Sequence, residues 1–353
     1  MTSEKKILIL LSGDYPEIGV DELQAVLRAH GINFVLKKYS PRLVEVSVRD
    51  DINIVKSALT RMALLKYAII KFYDINLHYI SLSKIKEAIN NIEYLKQFYG
   101  RKYAVRIIML NKRKLRLMFE RTIGYVIGEI TRGKVDLNSP EVLFQGFFVN
   151  GTLFLGVHLC GSQRSILFSR RAKFRPFFHP CTLHPIIARA MVNLTEVREG
   201  MTVLDPFVGT GSILIEAALM NCYGIGVDIS SKMCCGCVVN LKHYGVYSKV
   251  HVIRGDAFYL PLRDGLRIDS IVTDPPYGRL APLVDRSHKA VVRKLLEFSS
   301  QYLERGRYLC FLTTIDSHEI IYEVEKEGFS VLKVYTIPVH DNLCRRLVLC
   351  RRL

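Results

Sequence analysis

The chain has 353 residues, 49% hydrophobic and 24% charged, a mix that excludes a fibrous, low-complexity or disordered protein and leaves room for two or three domains. Its net charge is +17, and the excess is uneven: +9 over residues 1–155, +5 over 156–180 and +3 over 181–353. That surplus suits a polyanionic partner, the plainer alternative being a basic surface that only keeps the chain in solution. The first apolar run, ILILL, is too short for a membrane span and leads into turn residues without a cleavage signal, so a cytoplasmic protein with no membrane contact is expected. Nine cysteines, an odd number without a loop-spaced framework, are expected to be reduced. Cys234 and Cys237 form a CxxC inside a helix-like stretch, but no second pair exists, so core thiols are expected there and no metal.

Residues 6–11 read as a strand, and 18–30 as a helix with Val20, Leu23, Val26 and Leu27 on one face, ending at Gly31. Residues 34–38 and 43–48 alternate as strands about the Ser40-Pro41 turn, 50–60 are helical, and 66–73 form a further strand. That order is the split βαβ of a ferredoxin-like domain, placed over residues 1–75. A second α/β segment follows over 76–158: a helix near 81–89, a strand at 102–108 and a basic helix from 112 to 131. It closes with strands at 142–149 and 152–158, joined at Asn150-Gly151. The string EVLFQG at 141–146 resembles a protease site of expression vectors, but it lies inside a patterned strand and is read as native.

Residues 159–180 form a linker, GSQRSILFSRRAKFRPFFH at its centre, where basic and aromatic residues interleave without an acid. It is read either as a solvated connector or as a segment lying on a phosphate backbone through Arg170, Arg171, Lys173 and Arg175. From 181 to 353 strands and helices alternate, as in a doubly wound, mostly parallel sheet, and two apolar runs at 329–337 and 347–349 add a terminal hairpin.

Four motifs stand at the ends of successive strands. In TVLDPFVGTGS (202–212) a strand leads to Asp205 and a turn whose Gly209 and Gly211 permit close approach of a ligand. In IGVDIS (225–230), Asp228 ends the next strand, where a carboxylate can accept both hydroxyls of a ribose. The first motif runs GTGSIL, so the third glycine of a dinucleotide fingerprint is missing, which suits a nucleoside cofactor without a pyrophosphate. In RGDAFYLPL (254–262), Asp256 can accept from an adenine amino group, with Ala257 beside the ring. IVTDPPYG (271–278) follows the fourth strand. Its prolines remove two donors and leave an acceptor-rich corner, the Asp274 carboxylate and the Pro275 carbonyl, beside the flat face of Tyr277. Acceptors on the N–H bonds of an exocyclic amine hold it in place and favour the tetrahedral nitrogen of an alkylation transition state.

LDPFVGTG, GVDIS, GDA and DPPYG, in this order, resemble the Rossmann-fold amino-methyltransferases, and HPCTLHPIIARAMVNL (179–194) resembles the segment that leads into that domain near the cofactor's methionine end. GKVDLNSPEVLFQGFFVNGTLFLGV resembles a THUMP domain, an RNA-binding module of tRNA- and rRNA-modifying enzymes. Together they cover nearly the whole chain and are most similar to the archaeal tRNA (guanine-10-N2)-methyltransferases. DPPYG, where relatives acting at guanine 6 carry NPPYG, favours position 10. The resemblance implies a seven-stranded, mostly parallel C-terminal sheet over 181–353, a THUMP domain over 76–158, and S-adenosylmethionine as cofactor without a metal. It implies tRNA as substrate, a monomer, and no obligatory activator subunit. It further implies that Asp205, Phe207, Gly209, Gly211, His179 and Pro180 surround the methionine and ribose end of the cofactor, Asp228 and Ile229 the ribose, and Asp256 and Ala257 the adenine. Asp274, Pro275, Pro276 and Tyr277 would receive the guanine, and Lys112, Arg113, Lys114 and Arg116 would join the linker cations on tRNA. The alternatives are another tRNA or rRNA guanine, an amino group of DNA, or a non-catalytic RNA-binding protein; a sulfur-transfer THUMP enzyme is disfavoured because no P-loop is present.

Overall fold

The computed structural model describes residues 4–76, 85–87, 89, 92–109, 115–263, 265–276, 287–340 and 343–353. The chain divides into two compact units. One holds Met1–Asp14, Ile32–Thr60 and Leu65–Ser162; the other holds Tyr15–Gly31, Arg61–Leu64 and Gln163–Leu353.

The first unit is built on β1 (Lys5–Leu11), β2 (Phe34–Ser40), β3 (Leu43–Val48), β4 (Leu65–Asn76), β5 (Tyr103–Met109), β6 (Val142–Val149) and β7 (Thr152–Gly161), ordered β2-β3-β1-β4-β7-β6-β5. The first four strands pair antiparallel in the order of the split βαβ. β4 then pairs antiparallel with β7, so the strands of residues 1–75 and 76–158 share one sheet and the open edge of β4 is covered. At the β6–β7 turn Asn150 and Gly151 both have positive φ, +47° and +81°, as the tight hairpin turn read from the sequence requires. Helix α2 (Ile52–Thr60) also belongs to this unit, and α3 (Arg116–Thr131) buries Phe119, Ile123, Val126 and Ile127, one face at helical spacing, in a core with Phe144.

The second unit is a seven-stranded sheet of β8 (Thr202–Asp205), β9 (Tyr223–Asp228), β10 (Val250–Arg254), β11 (Ile268–Thr273), β12 (Leu303–Thr313), β13 (Phe329–His340) and β14 (Leu343–Arg352), ordered β10-β9-β8-β11-β12-β14-β13. The first five in that order are parallel; β14 runs antiparallel between β12 and β13. Alternation assigns the two faces. Val203, Val272, Cys310 and Leu312 pack with α5 (Pro185–Leu194) and α6 (Ser212–Ala218), while Leu204, Ile271, Leu309 and Phe311 pack with α8 (His288–Tyr302) and α9 (Ser317–Lys326). All ten residues of α5 are buried, so its polar groups need internal partners. Asn193 Nδ2 donates to Glu22 Oε1 at 2.7 Å, from α1 (Pro16–Ala29) of the same unit. Glu22 also accepts from the N–H groups of Ala63 (2.7 Å) and Leu64 (3.0 Å), and burial pushes its carboxyl up.

The linker departs from the reading of it as a solvated connector and, at Arg170 and Arg175, from the reading that lays it on a phosphate backbone. It folds into α4 (Arg164–Ser169) and a 3-10 turn at Ala172–Phe174 inside the second unit. Arg170 and Arg175, expected on RNA, turn inward. Arg170 makes two hydrogen bonds to Glu216 of α6, 2.7 and 2.8 Å, and Arg189 of α5 reaches the same carboxylate at 2.9 Å. The reason is electrostatic: Glu216 has no exposed surface, and a buried carboxylate needs cations at hydrogen-bond distance. Among the described residues no helix is long and apolar enough to cross a membrane.

Candidate active site

The carboxyl ends of β8, β9, β10 and β11 carry the four motifs, and they converge because β8 and β11 are neighbours from which the chain winds in opposite directions, the place where open α/β sheets bind ligands. The cavity there has a volume of about 300 Å³. Of the residues expected around a cofactor, His179, Phe207, Gly209, Asp228, Ile229, Asp256 and Ala257 line it, as do Asp274 and Pro276 from the fourth motif. Asp205, Gly211, Pro180 and Pro275 are not among its walls, and Tyr277 lies outside the described residues.

The motifs that miss the wall support it. Asp205, 2% exposed, accepts from Thr273 Oγ1 at 2.7 Å and from the Phe207 N–H at 3.2 Å, tying the end of β8 to the end of β11. Burial, with the like charges of Asp274 and Asp228 nearby, pushes its carboxyl up to about 7. Gly211 begins α6 at φ +84°, and a Cβ there would come within 2.7 Å of Cys237 Sγ, so only glycine fits. Cys237 is thus a core thiol beneath the loop; Cys234 of the same α7 (Ser231–His243) is also buried. Asn240 of α7 clasps the linker end by accepting from the Phe177 N–H and donating to the Phe177 and Thr210 carbonyls.

Three carboxylates face the cavity. Asp228 accepts from the Gly209 N–H (3.0 Å) and the Ser230 N–H (2.8 Å), one on each oxygen, and burial still pushes it up. Asp256 accepts from the Phe258 N–H at 2.9 Å through Oδ1 and caps the turn Ala257–Tyr259. Asp274 meets Arg345 Nη2 of β14 through Oδ1; burial pushes its carboxyl up against the pull of that guanidinium. His288 Nδ1 lies 2.9 Å from the Pro276 carbonyl oxygen, which can only accept, so Nδ1 donates and Nε2 accepts from Thr313 Oγ1 at 2.9 Å. Burial lowers His288 and keeps it neutral, as that pattern needs.

Neither Arg345 nor His288 belongs to a sequence motif. Arg345 did leave a signal: it shares its strand face with buried Leu347 and Leu349, a charge at an apolar position. His288 left none beyond following a helix-capping Ser287. Of the cations expected on RNA, Lys112, Arg113 and Lys114 lie outside the described residues. Arg116 is exposed, 3.9 Å from Glu120. Arg171 stacks 3.4 Å from the Phe168 ring, and exposed Lys173 lies over Phe174.

A sheet of this order with acids at four successive strand ends defines a Rossmann-fold methyltransferase. The protein family described as RMKL-like, methyltransferase domain, matches residues 172–336. The tRNA (guanine(10)-N2)-dimethyltransferase of Methanothermobacter thermautotrophicus is 34% identical over 353 residues, covering 99% of this chain and 100% of that one. The enzyme of the same name from Methanocaldococcus jannaschii is 30% identical over 367 residues, covering 98% and 99%. The chain therefore belongs to the tRNA (guanine(10)-N2)-dimethyltransferase family. In fold it is similar to the crystal structure of TrmN from Thermus thermophilus, with a TM-score of 0.54 at 19% identity, covering 99% of this chain and 100% of that one.

S-adenosylmethionine is the methyl donor of such an enzyme, and the cavity fits it. Its volume is at the lower end for small-molecule sites. Each Asp228 oxygen takes one backbone N–H and keeps lone-pair capacity for a ribose hydroxyl. Thr182, Thr210 and Ser212 belong to the wall formed by the first motif and the segment after His179.

Proposed function

We propose that this protein methylates the exocyclic N2 of guanosine in tRNA, at position 10, to m2G and m2,2G. The observation that carries the reading is that Asp274 and Pro276 line the same cavity as Asp228 and Asp256, so the amine-binding corner opens on the donor site. In this reading Asp228 and Ile229 take the ribose, Asp256 and Ala257 the adenine, and Phe207, Gly209 and His179 the methionine side. Asp205, Gly211 and Pro180 hold the walls from behind.

The bound donor supplies an electrophilic methyl carbon on a sulfonium. Guanine N2 is a weak nucleophile because its lone pair is delocalised into the ring. Asp274 accepts an N–H bond of it, orients the amine, and favours the pyramidal nitrogen on which the new N–C bond forms. The donor, held by Asp228 and Asp256, would supply its methyl carbon to that nitrogen and leave as a neutral thioether. The nitrogen then loses one proton to Asp274 or to water. Tyr277 would stack on the base, which must leave its own stack to reach the corner.

The domain reading places a ferredoxin-like domain at 1–75, a THUMP domain that reads tRNA shape at 76–158, the linker at 159–180 and the methyltransferase at 181–353. Lys112, Arg113, Lys114, Arg116, Arg171 and Lys173 would meet phosphates. A cytoplasmic monomer without an activator subunit completes it. The test is incubation of unmodified tRNA with the protein and S-adenosylmethionine, followed by nucleoside mass spectrometry and mapping. The expected product is N2-methylated guanosine at position 10. Methyl groups at another guanosine, or on duplex DNA in a parallel reaction, would overturn the assignment.

A further inference from the structure

Two side chains outside the motifs grip the corner that carries Asp274. Arg345 comes from β14, on the strand face that also presents Leu347 and Leu349 to the core. It is 8% exposed, and a guanidinium so placed is costly unless a carboxylate meets it. Asp274, itself 18% exposed, does so. Among the described residues, the charged or titratable groups around Asp274 are Arg345 of β14, Asp205 of β8 and His288 of α8. Asp205 carries no positive charge and is bonded to Thr273 and the Phe207 N–H. His288 is neutral and committed to Pro276 and Thr313. Among the described residues, the stabilising cation at this corner is therefore Arg345.

Resting on the role of Asp274 given above, we propose that Arg345 is a positioning residue for methyl transfer: its guanidinium fixes Oδ1 of Asp274 and keeps the carboxylate charged, so that Oδ2 accepts an N–H of the base. A buried carboxylic acid without this partner would protonate more readily. It would then offer the amine a weaker acceptor and an unwanted O–H donor. Arg345 also makes Asp274 a poorer base, which directs the departing N–H proton to water. His288 restrains the same corner two residues on, through the Pro276 carbonyl.

The experiment compares kcat as a function of pH for the wild type, Arg345→Gln, Arg345→Lys and Asp274→Asn, with saturating tRNA and cofactor. Thermal melting and cofactor affinity are measured on each protein. Arg345→Gln is expected to lower kcat about 100-fold near neutral pH while cofactor affinity changes less than about threefold. Its acidic limb should move up by about one pH unit or more, because loss of the cation raises the Asp274 carboxyl. Arg345→Lys should return the limb to its wild-type position and recover at least about tenfold in kcat. In the Asp274→Asn background, Arg345→Gln should lower kcat by less than about threefold more, since the group it acts on is gone. That double variant removes both charges and so keeps the test open if Arg345→Gln alone does not fold.

An Arg345→Gln enzyme with an unshifted acidic limb would overturn the proposal, as would a double variant much slower than Asp274→Asn. A wild type that leaves tRNA guanosine unmodified overturns the functional reading, and this inference with it. An active wild type with an unmoved limb overturns this inference alone.

Discussion

Replacing Glu216 by leucine should destabilise the methyltransferase unit more than any exposed ion-pair change. Its carboxylate has no exposed surface and serves two guanidiniums, those of Arg170 and Arg189, whose side chains are 9% and 11% exposed. Removing one partner of a buried ion pair costs about 3–5 kcal/mol, because the partner stays buried without its counter-charge. Here two cations would be stranded, so the upper part of that range applies. At about 2–4 °C per kcal/mol for a unit of this size, the melting temperature should fall by roughly 8–20 °C. The loss should also reach the cavity. The Arg170 carbonyl accepts from Arg175 Nε at 2.9 Å, and Arg175 Nη1 donates to Ser212 Oγ at 2.8 Å, a residue of the cavity wall. Calorimetric melting and titration with S-adenosylmethionine measure both effects, and a roughly tenfold loss of affinity is expected, about 1.4 kcal/mol. The triple change Glu216→Leu, Arg170→Leu, Arg189→Met, which removes all three charges, should recover most of the stability. A Glu216→Leu protein within about 1 kcal/mol of the wild type would refute the claim that this triad carries buried charge.

Asp228→Asn should weaken cofactor binding by about 1–3 kcal/mol in titration calorimetry, through loss of charge-assisted bonds, and unchanged affinity would remove its assigned role. Asp274→Ala should abolish methyl transfer in a tRNA assay while cofactor affinity stays within about threefold, because Asp274 acts on the base rather than on the donor. Asp205 is raised on folding from 3.8 to about 7, so the native state holds its proton over that window; stability is greatest below the lower value and falls as pH rises through the upper one. Asp205→Asn should flatten that decline by up to about 4 kcal/mol in urea titrations between pH 4 and 8, and an identical decline in both proteins would count against it. Affinity for tRNA should fall steeply with salt; Arg171→Ala and Lys173→Ala should each reduce the slope by about one, whereas Arg175→Ala should lower stability instead.

Strands β8 to β11 of the second sheet were legible because each is a mostly apolar run that leads into a motif acid. The Asn150-Gly151 turn was legible for an equally local reason, since its backbone conformation selects the residue pair. The linker was not legible. Its five cations and absence of acids describe composition, but the inward turn of Arg170 depends on Glu216, 46 positions further along the chain. Joining of β4 to β7 was likewise hidden, since strand edges are matched by backbone groups that every residue carries. In the site, Asp228, Asp256 and Asp274 announced themselves as acids at strand ends. Arg345 showed only as a charge at an apolar strand position, because its partner stands 71 residues earlier and the two meet only when β14 is inserted beside β12.

The four acids differ in what surrounds them, and that difference assigns their work. Asp205 is sealed behind the wall, bonded to a hydroxyl and a backbone N–H, and sits near neutrality, so it serves as a strut between β8 and β11. Asp228 takes one backbone donor on each oxygen, which leaves lone-pair capacity for ribose hydroxyls, and Asp256 accepts the Phe258 N–H on the same cavity wall. Asp274 meets the guanidinium of Arg345 through its carboxylate. A carboxylate that only bound a neutral hydroxyl would not need that cation, whereas one that must stay charged beside a developing ammonium at low solvent exposure does. The antiparallel insertion of β14 in an otherwise parallel sheet is what brings the cation there. The terminal hairpin is thus part of the chemistry of the fourth strand end as well as the edge of the fold.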